Sequence, residues 1–555
     1  MSSQTLKRSL QVVTSVAFLL SVALAAPLAQ AVSYTWDNSN GNRNWDTANN
    51  WTADSGYPSS SADTATFNST GAGDVNLNGS KSVGTVTFTD TYTLKGSSDT
   101  LTVGTLFKLA TNSKTVTVQC NLAGAGGLTV GQVGVGNGTI ILSGTNTYSG
   151  ATTIDPATLQ CGAVNTLSPN SAITMGGSGF GATLSLMGYD QTISSLSASG
   201  YQSVVENGGA ANAILTINQA TNTIIDQGTI QNGSGGGTLA VVKDGIGSMT
   251  WKGGHFTFTG GLTIKGGKII ANDDSTLTGR AVNIDGGELN MAPSYGYVGA
   301  ITLTSGSITG NKIQATSYAV RSGDISAKLS ETGGSATLTK STSGMVTMSN
   351  SANEYSGATL ISAGMILVKI AGALPSTSAV TVQNSATLAM DTGVTLTKTA
   401  TWNSGSILGG KGTYDIAGGF TPPSGVHVSP GLIIGTLTVD GALNLASGGI
   451  LDIQVDGATA DLLNITNASD TGNLTLTGGT LNVTAITPGT FTSIPIVTYA
   501  GTRNNTTFAT VNLPSAAYSI QYDDANKRIL LLPEPATMAL LALGGVGMLI
   551  RRRRR

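Results

Sequence analysis

Hydrolysis or elimination on a polymer needs carboxylates near a histidine, with a basic residue to complete the set. The chain offers few such combinations. Asp273-Asp274 have His255 upstream, but adjacent residues of a strand point to opposite faces, and no Arg-x-Lys element follows. Only a turn or bulge would bring the two carboxylates together, so the pair reads as a solvated turn. Asp523-Asp524, just before Lys527-Arg528, read as the turn of a hairpin. His255 and His427 stand alone and far apart, so no Ser-His-Asp or Cys-His set and no metal-ligand spacing can be assembled. Asp37-Asn38-Ser39-Asn40-Gly41 is oxygen-rich in the manner of a calcium loop but lacks the closing bidentate glutamate, and it reads as an Asx-rich turn. The sequence therefore assigns no catalytic residue, no cofactor and no metal, and the chain is read as a non-enzyme.

Two stretches have the composition of a binding surface. Thr85, Thr87, Thr89, Thr91 and Thr93 alternate with Val86, Phe88, Tyr92 and Leu94. A flat outward threonine array would bind ice or a glycan, but threonine outside and apolar residues inside is also the ordinary composition of a half-buried strand. Trp36, Trp45 and Trp51 would stack on sugars or, as the favoured expectation, pack a cap.

The ends of the chain carry a different chemistry. Pro533-Glu534-Pro535 precede the uncharged run Ala536 to Ile550, and Arg551, Arg552, Arg553, Arg554 and Arg555 close the sequence. The run is shorter than the roughly 20 residues of a stable spanning helix, and the arginines would hold their end in the cytoplasm as a stop. The arrangement resembles the PEP-CTERM sorting signal, down to the Pro-Glu-Pro-Ala-Thr opening. The resemblance implies recognition of Pro533, Glu534 and Pro535 by exosortase, a membrane protease-transpeptidase, and removal of the tail after transient insertion in the inner membrane. At the other end Lys7 and Arg8, the apolar stretch Leu10 to Leu24, and Ala29 and Ala31 at the −3 and −1 positions form a Sec-type signal peptide. Cleavage there would start the mature chain near Val32.

Between these addresses the chain is weakly charged. Charged residues make up 10% of the sequence, and glycine accounts for 75 of 555 residues. Without Lys7, Arg8, the terminal arginines and Glu534, 20 basic and 28 acidic residues remain, a net charge near −8. The basic residues are scattered, which excludes the clustered cationic face that nucleic acid requires. With coils of about 20 residues Cys120 and Cys161 would lie two coils apart, farther than a disulfide spans without distortion; both are read as unpaired, buried thiols, with a disulfide between them as the alternative.

One short pattern recurs: apolar or threonine, any, apolar, four spacers usually containing glycine, apolar. It occurs at Leu262, Ile264, Ile269, at Val282, Ile284, Leu289, and at Ile301, Leu303, Ile308; it returns at Leu474, Leu476, Leu481 and, with threonine first, at Thr152 and Thr359. Each unit reads as strand, glycine corner, strand, and a phase of about 20 residues makes stacked coils the way to bury one face per unit. The predicted fold is all-β, a right-handed parallel β-helix (solenoid), with a helical signal peptide and a C-terminal apolar helix outside it. The rival all-β arrangement is a row of antiparallel sandwiches.

Residues 138–162 (GTIILSGTNTYSGATTIDPATLQCG) and 344–368 (GMVTMSNSANEYSGATLISAGMILV) resemble the autotransporter-associated β-strand repeat, with Tyr148-Ser149-Gly150 and Tyr355-Ser356-Gly357 as its signature. A degenerate copy at 249–270 has Phe258-Thr259-Gly260 instead. The resemblance implies a secreted surface rod and carries no catalytic residues. The expected organisation is a signal peptide (1–31), an N-terminal cap (32–80), the β-helix (81–420), a C-terminal β-rich region (421–532) after the Pro422-Pro423 boundary, and the sorting signal (533–555). The functional expectation is an exported structural or adhesive β-solenoid at the cell surface or in the extracellular matrix. Its expected partners are the Sec-type export machinery, an exosortase-like protease and extracellular polysaccharide. An ice- or glycan-binding module, and more remotely a β-helix polysaccharide lyase or hydrolase, are the alternatives.

Overall fold

The computed structural model describes residues 30–52, 55–131, 138–176, 181–200, 202–272, 277–468, 470–487 and 491–533. Ala29, the Asp273-Asp274 pair, Glu534, Pro535, the apolar run and the five arginines lie outside the described residues. The two expected helices lie there too. The fold is an all-β parallel β-solenoid of about 18 turns, and the described residues contain no α-helix. The chain divides into two compact units, one of residues 1–218 and 225–239 and one of residues 219–224 and 240–555.

In the first unit, period-2 alternation gives every strand one apolar face, and parallel pairing stacks those faces in columns. One column runs Trp36, Phe67, Phe88, Leu109, Val130, Ile154, Met175. The column on the second sheet runs Val75, Leu94, Val118, Leu142, Cys161. All of these side chains are buried. Cys120 and Cys161 are buried free thiols, and burial pushes both up to about 12.

The three tryptophans are fully buried around Phe67. Trp51 meets Trp36 and Trp45 edge-on, with ring centroids 5.1 and 5.0 Å apart. Each indole N–H donates to a backbone carbonyl, those of Gly71, Pro58 and Trp45. None presents a face to a sugar. The threonine run does not form one ladder: Thr85 and Thr87 lie on strand Lys81–Phe88, whereas Thr93 lies on Tyr92–Lys95 in the other sheet. Across coils, the column Thr35, Thr66, Thr87 is broken by Lys108.

In the second unit the 20-residue phase is realised literally. Leu262 pairs with Val282 and Val282 with Ile301, while Ile269 pairs with Leu289 and Leu289 with Ile308. The glycine corners lie within two continuous strands, Val282–Tyr297 and Ala300–Ala315. Gly306 turns one of them at φ +93°, where a Cβ would stand 2.1 Å from the Gly287 carbonyl oxygen. The parallel ladders overturn the sandwich alternative. Among the described residues antiparallel pairing occurs in a short hairpin at Val455–Ala460 and near residue 530, where Arg528–Pro533 lies between Ile494–Tyr499 and Tyr518–Asp523.

The apolar column of this unit contains two lysines. It runs Lys243, Ile264, Ile284, Leu303, Val320, Lys340, Ile361, Val382, Trp402. Both lysines have no solvent exposure, and a buried ammonium needs partners. Lys243 Nζ donates to the carbonyls of Asp244 (2.7 Å), Gly245 (3.0 Å) and Gly266 (3.2 Å). Lys340 donates to those of Thr342 and Ala363. Each ammonium thereby caps the turn that follows it and ties it to the next coil, and desolvation lowers the Lys243 ammonium to about 8.

Candidate functional site

The repeat signature points inward, and its residues hold coils together. Asn146 Oδ1 accepts from Leu122 N (2.6 Å) and its Nδ2 donates to the Thr166 carbonyl (2.6 Å). Asn353 does the same between Leu329 N (2.7 Å) and the Ala373 carbonyl (2.8 Å). Two residues on, the Tyr148 hydroxyl meets Thr152 Oγ1 at 2.9 Å, Thr152 meets Ser171 Oγ at 2.8 Å, and Ser171 donates to the Gly150 carbonyl. Tyr355, Thr359, Ser378 and Gly357 repeat that chain with nearly the same distances. Burial pushes both tyrosine hydroxyls up to about 12. The signature glycines are required by closeness. A Cβ on Gly150 would stand 2.4 Å from Gly126 backbone, and one on Gly357 2.4 Å from the Ala336 carbonyl oxygen.

The degenerate copy exchanges this network as a set. Phe256, Phe258 and Leu262 occupy the asparagine, tyrosine and threonine places, and all three are buried. Phe256 stacks on Trp251 at 4.6 Å, and Arg280 lies over the Phe258 ring at 5.3 Å. Removing polar partners together leaves no orphaned hydroxyl.

The sorting residues meet the fold at its last strand. Pro533 is the final residue of Arg528–Pro533 and pairs with Tyr518, a place in a ladder that a residue without an N–H accepts only at the margin. The hairpin behind it is fastened by Asp524, which accepts from Arg503 (2.8 and 2.5 Å) and from the Tyr499 hydroxyl (2.5 Å). The Arg503 guanidinium also lies 4.6 Å from the Tyr522 ring centroid. Asp523 caps the turn Asp524–Asn526 by accepting from Asn526 N, so both aspartates serve the turn that the sequence predicts. Ala31, which the sequence reading places at a signal-cleavage site, is exposed beside strand Ser33–Trp36.

The remaining candidates separate. His255 is exposed on its short strand. Asp37 Oδ1 accepts from Ser39 N and Oγ, and Asn38 Oδ1 accepts from Arg43 N, which makes the loop an Asx turn. No group of three or more His, Cys, Asp or Glu suited to a metal occurs among the described residues. His427, isolated in the sequence, is not isolated in the fold: its Nδ1 lies 2.5 Å from Asp452 Oδ2 on the adjacent coil. No local signal marks this pair, because its members are 25 residues apart.

Residues 135–160 and 338–368 match the passenger-associated-transport-repeat family, and residues 532–555 match the PEP-CTERM protein-sorting motif. The degenerate copy at 249–270 falls outside these matches. A curated relative is the Adhesin BmaC autotransporter of Brucella suis biovar 1 (strain 1330), 28% identical over 301 residues. The match covers 51% of this chain and 7% of that protein's length. No helix among the described residues is long and apolar enough to cross a membrane. The sorting motif implies processing by an exosortase. The chain is a parallel β-solenoid that carries passenger-associated-transport repeats and ends in a PEP-CTERM sorting motif.

Proposed function

We propose that this protein is exported, sorted through Pro533-Glu534-Pro535 and displayed outside the cell as a non-enzymatic adhesive or structural solenoid. The observation that carries the reading is the sorting motif, which begins on the last strand of a repeat fold whose signature side chains are spent inside on holding coils together. What remains for solvent is weakly charged and rich in threonine and asparagine. Similarity to a protein named as an adhesin supports an attachment role. On this reading the Sec-type signal is cut after Ala31, and Arg551 to Arg555 stop transfer while the exosortase acts. The surface then contacts the surrounding polysaccharide.

The test is fractionation of a tagged chain with and without Pro533-Glu534-Pro535. The intact protein is expected at the cell surface or in the matrix without its tail, and the deletion variant in the membrane with the tail attached. Unchanged localisation and unchanged tail removal would sink the sorting reading.

A further inference from the structure

Within the second unit, strands His427–Pro430, Ile450–Asp456, Thr480–Thr487 and Thr510–Asn512 stack in parallel on successive coils. Their outward positions form a polar row. His427 Nδ1 meets Asp452 Oδ2 at 2.5 Å, Asn482 Nδ2 donates to Asp452 Oδ1 at 2.8 Å, and Asn512 Nδ2 donates to Asn482 Oδ1 at 2.8 Å. Beside this row Gln454 pairs in register with Thr484. Ser429, Asp452, Gln454, Asn482, Thr484 and Asn512 line a depression of about 500 Å³. It continues past Ser429 and Gln454 into a smaller one of about 180 Å³, walled by Met365, Ile407 and Leu432.

The wall beside Leu432 is a built feature. Residues 431–435 loop out from Pro430, and Gly431 and Gly410 bond each other's backbone. Asp461, fully buried, accepts from Gly435 N and Gln454 N, both at 2.9 Å, which fixes the loop to the strand that lines the depression. The loop's next side chain, Ile433, is 65% exposed.

We propose that this trench binds an extended, uncharged polysaccharide. Strands His427–Pro430, Ile450–Asp456 and Thr480–Thr487 of the trench floor each have a parallel neighbour on both sides, so a peptide cannot add as a strand across them. Its lining has one carboxylate and neither lysine nor arginine, which disfavours nucleic acid and polyuronates. Amide, carboxylate and hydroxyl groups offer donors and acceptors to vicinal hydroxyls, and the Met365–Ile407–Leu432 wall offers an apolar face, the combination found in a pyranose ring. Coils advance by about 4.8 Å, close to the length of one sugar residue in an extended chain, so each step presents a similar group to the next sugar. The hydrogen bonds along the row hold the polar groups before a ligand arrives, which lowers the ordering cost of binding.

The inference rests on the surface-attachment reading and is tested apart from it. Calorimetric titration of the full chain would use a panel of neutral hexasaccharides (β-1,4-glucan, α-1,4-glucan, β-1,4-mannan and β-1,4-N-acetylglucosamine) and hexagalacturonate. At least one neutral member is expected to bind and hexagalacturonate is not. The double variant Gln454→Ala/Asn482→Ala should weaken that binding by about tenfold or more, and so should Leu432→Ala, which leaves the polar row intact. A thermal melt of each variant checks folding. The trench is overturned if no neutral member binds, if both variants bind like the parent, or if hexagalacturonate binds more tightly. The attachment reading fails separately, if cells lacking the chain attach as well as cells that have it.

Discussion

Tyr355 and Thr359 share a buried hydroxyl–hydroxyl hydrogen bond of 2.9 Å, and the same bond joins Tyr148 to Thr152 in the first copy of the repeat. Where Phe258 replaces the tyrosine, Leu262 replaces the threonine, so the pair is kept or lost together. That co-exchange is what the cost of an orphaned buried hydroxyl requires.

Thr359→Val is therefore expected to be worse than Tyr355→Phe. The valine leaves the Tyr355 hydroxyl buried without its partner, at a cost of about 2 kcal/mol, whereas the phenylalanine leaves Thr359 bonded to Ser378 and costs about 1 kcal/mol. The combined variant should lose less than the sum of the two. Urea denaturation midpoints of the four proteins check it, and strict additivity would refute the coupling.

Gly357→Ala should destabilise more than an average surface change, by about 1–3 kcal/mol, because its Cβ would stand 2.4 Å from the Ala336 carbonyl oxygen. Calorimetry gives the readout. A melting temperature within a degree of the parent would show that the two coils can separate to make room.

Burial raises the Asp461 carboxyl to about 6, against an ordinary aspartate value of 3.8. A folded-state value above the unfolded one means that the folded state holds the proton between about 4 and 6 while the unfolded chain has lost it. Stability from this group is thus fully present below about 4 and is lost as pH rises through about 6, amounting to about 3 kcal/mol at most. Unfolding followed from pH 4 to 7 should show this decline, and Asp461→Asn should flatten it. An identical pH slope in parent and variant would count against the assignment.

Arg503→Ala should loosen the terminal hairpin while leaving the coils before it intact, since Arg503 ties Asp524 to the Tyr522 ring. Faster amide exchange across Tyr518–Asp523 and Arg528–Pro533, without change at Ile450–Asp456, is the expected pattern. Uniform protection in the variant would mean that the hairpin is held by its ladder alone.

The coil was legible in the amino-acid order. Alternation of apolar and polar residues sets the inward face locally, and the spacing of Leu262, Val282 and Ile301 sets the phase, both within reach of a short window. The sorting motif was equally legible, because Pro533-Glu534-Pro535, the apolar run and the arginines are contiguous. The inward course of Asn146, Tyr148 and Thr152 was not, since polar side chains carry no sign of which coil will satisfy them.

The tertiary structure decided everything that joins one coil to the next. His427 reaches Asp452 across 25 residues, and Asn482 reaches Asp452 and Asn512 reaches Asn482 across 30 each. Coil lengths drift, so no fixed period in the sequence identifies these partners. They meet because hydrogen-bonded strands lie about 4.8 Å apart whatever the length of chain between them, and the same spacing places Lys243 and Lys340 in an apolar column with carbonyls to receive them.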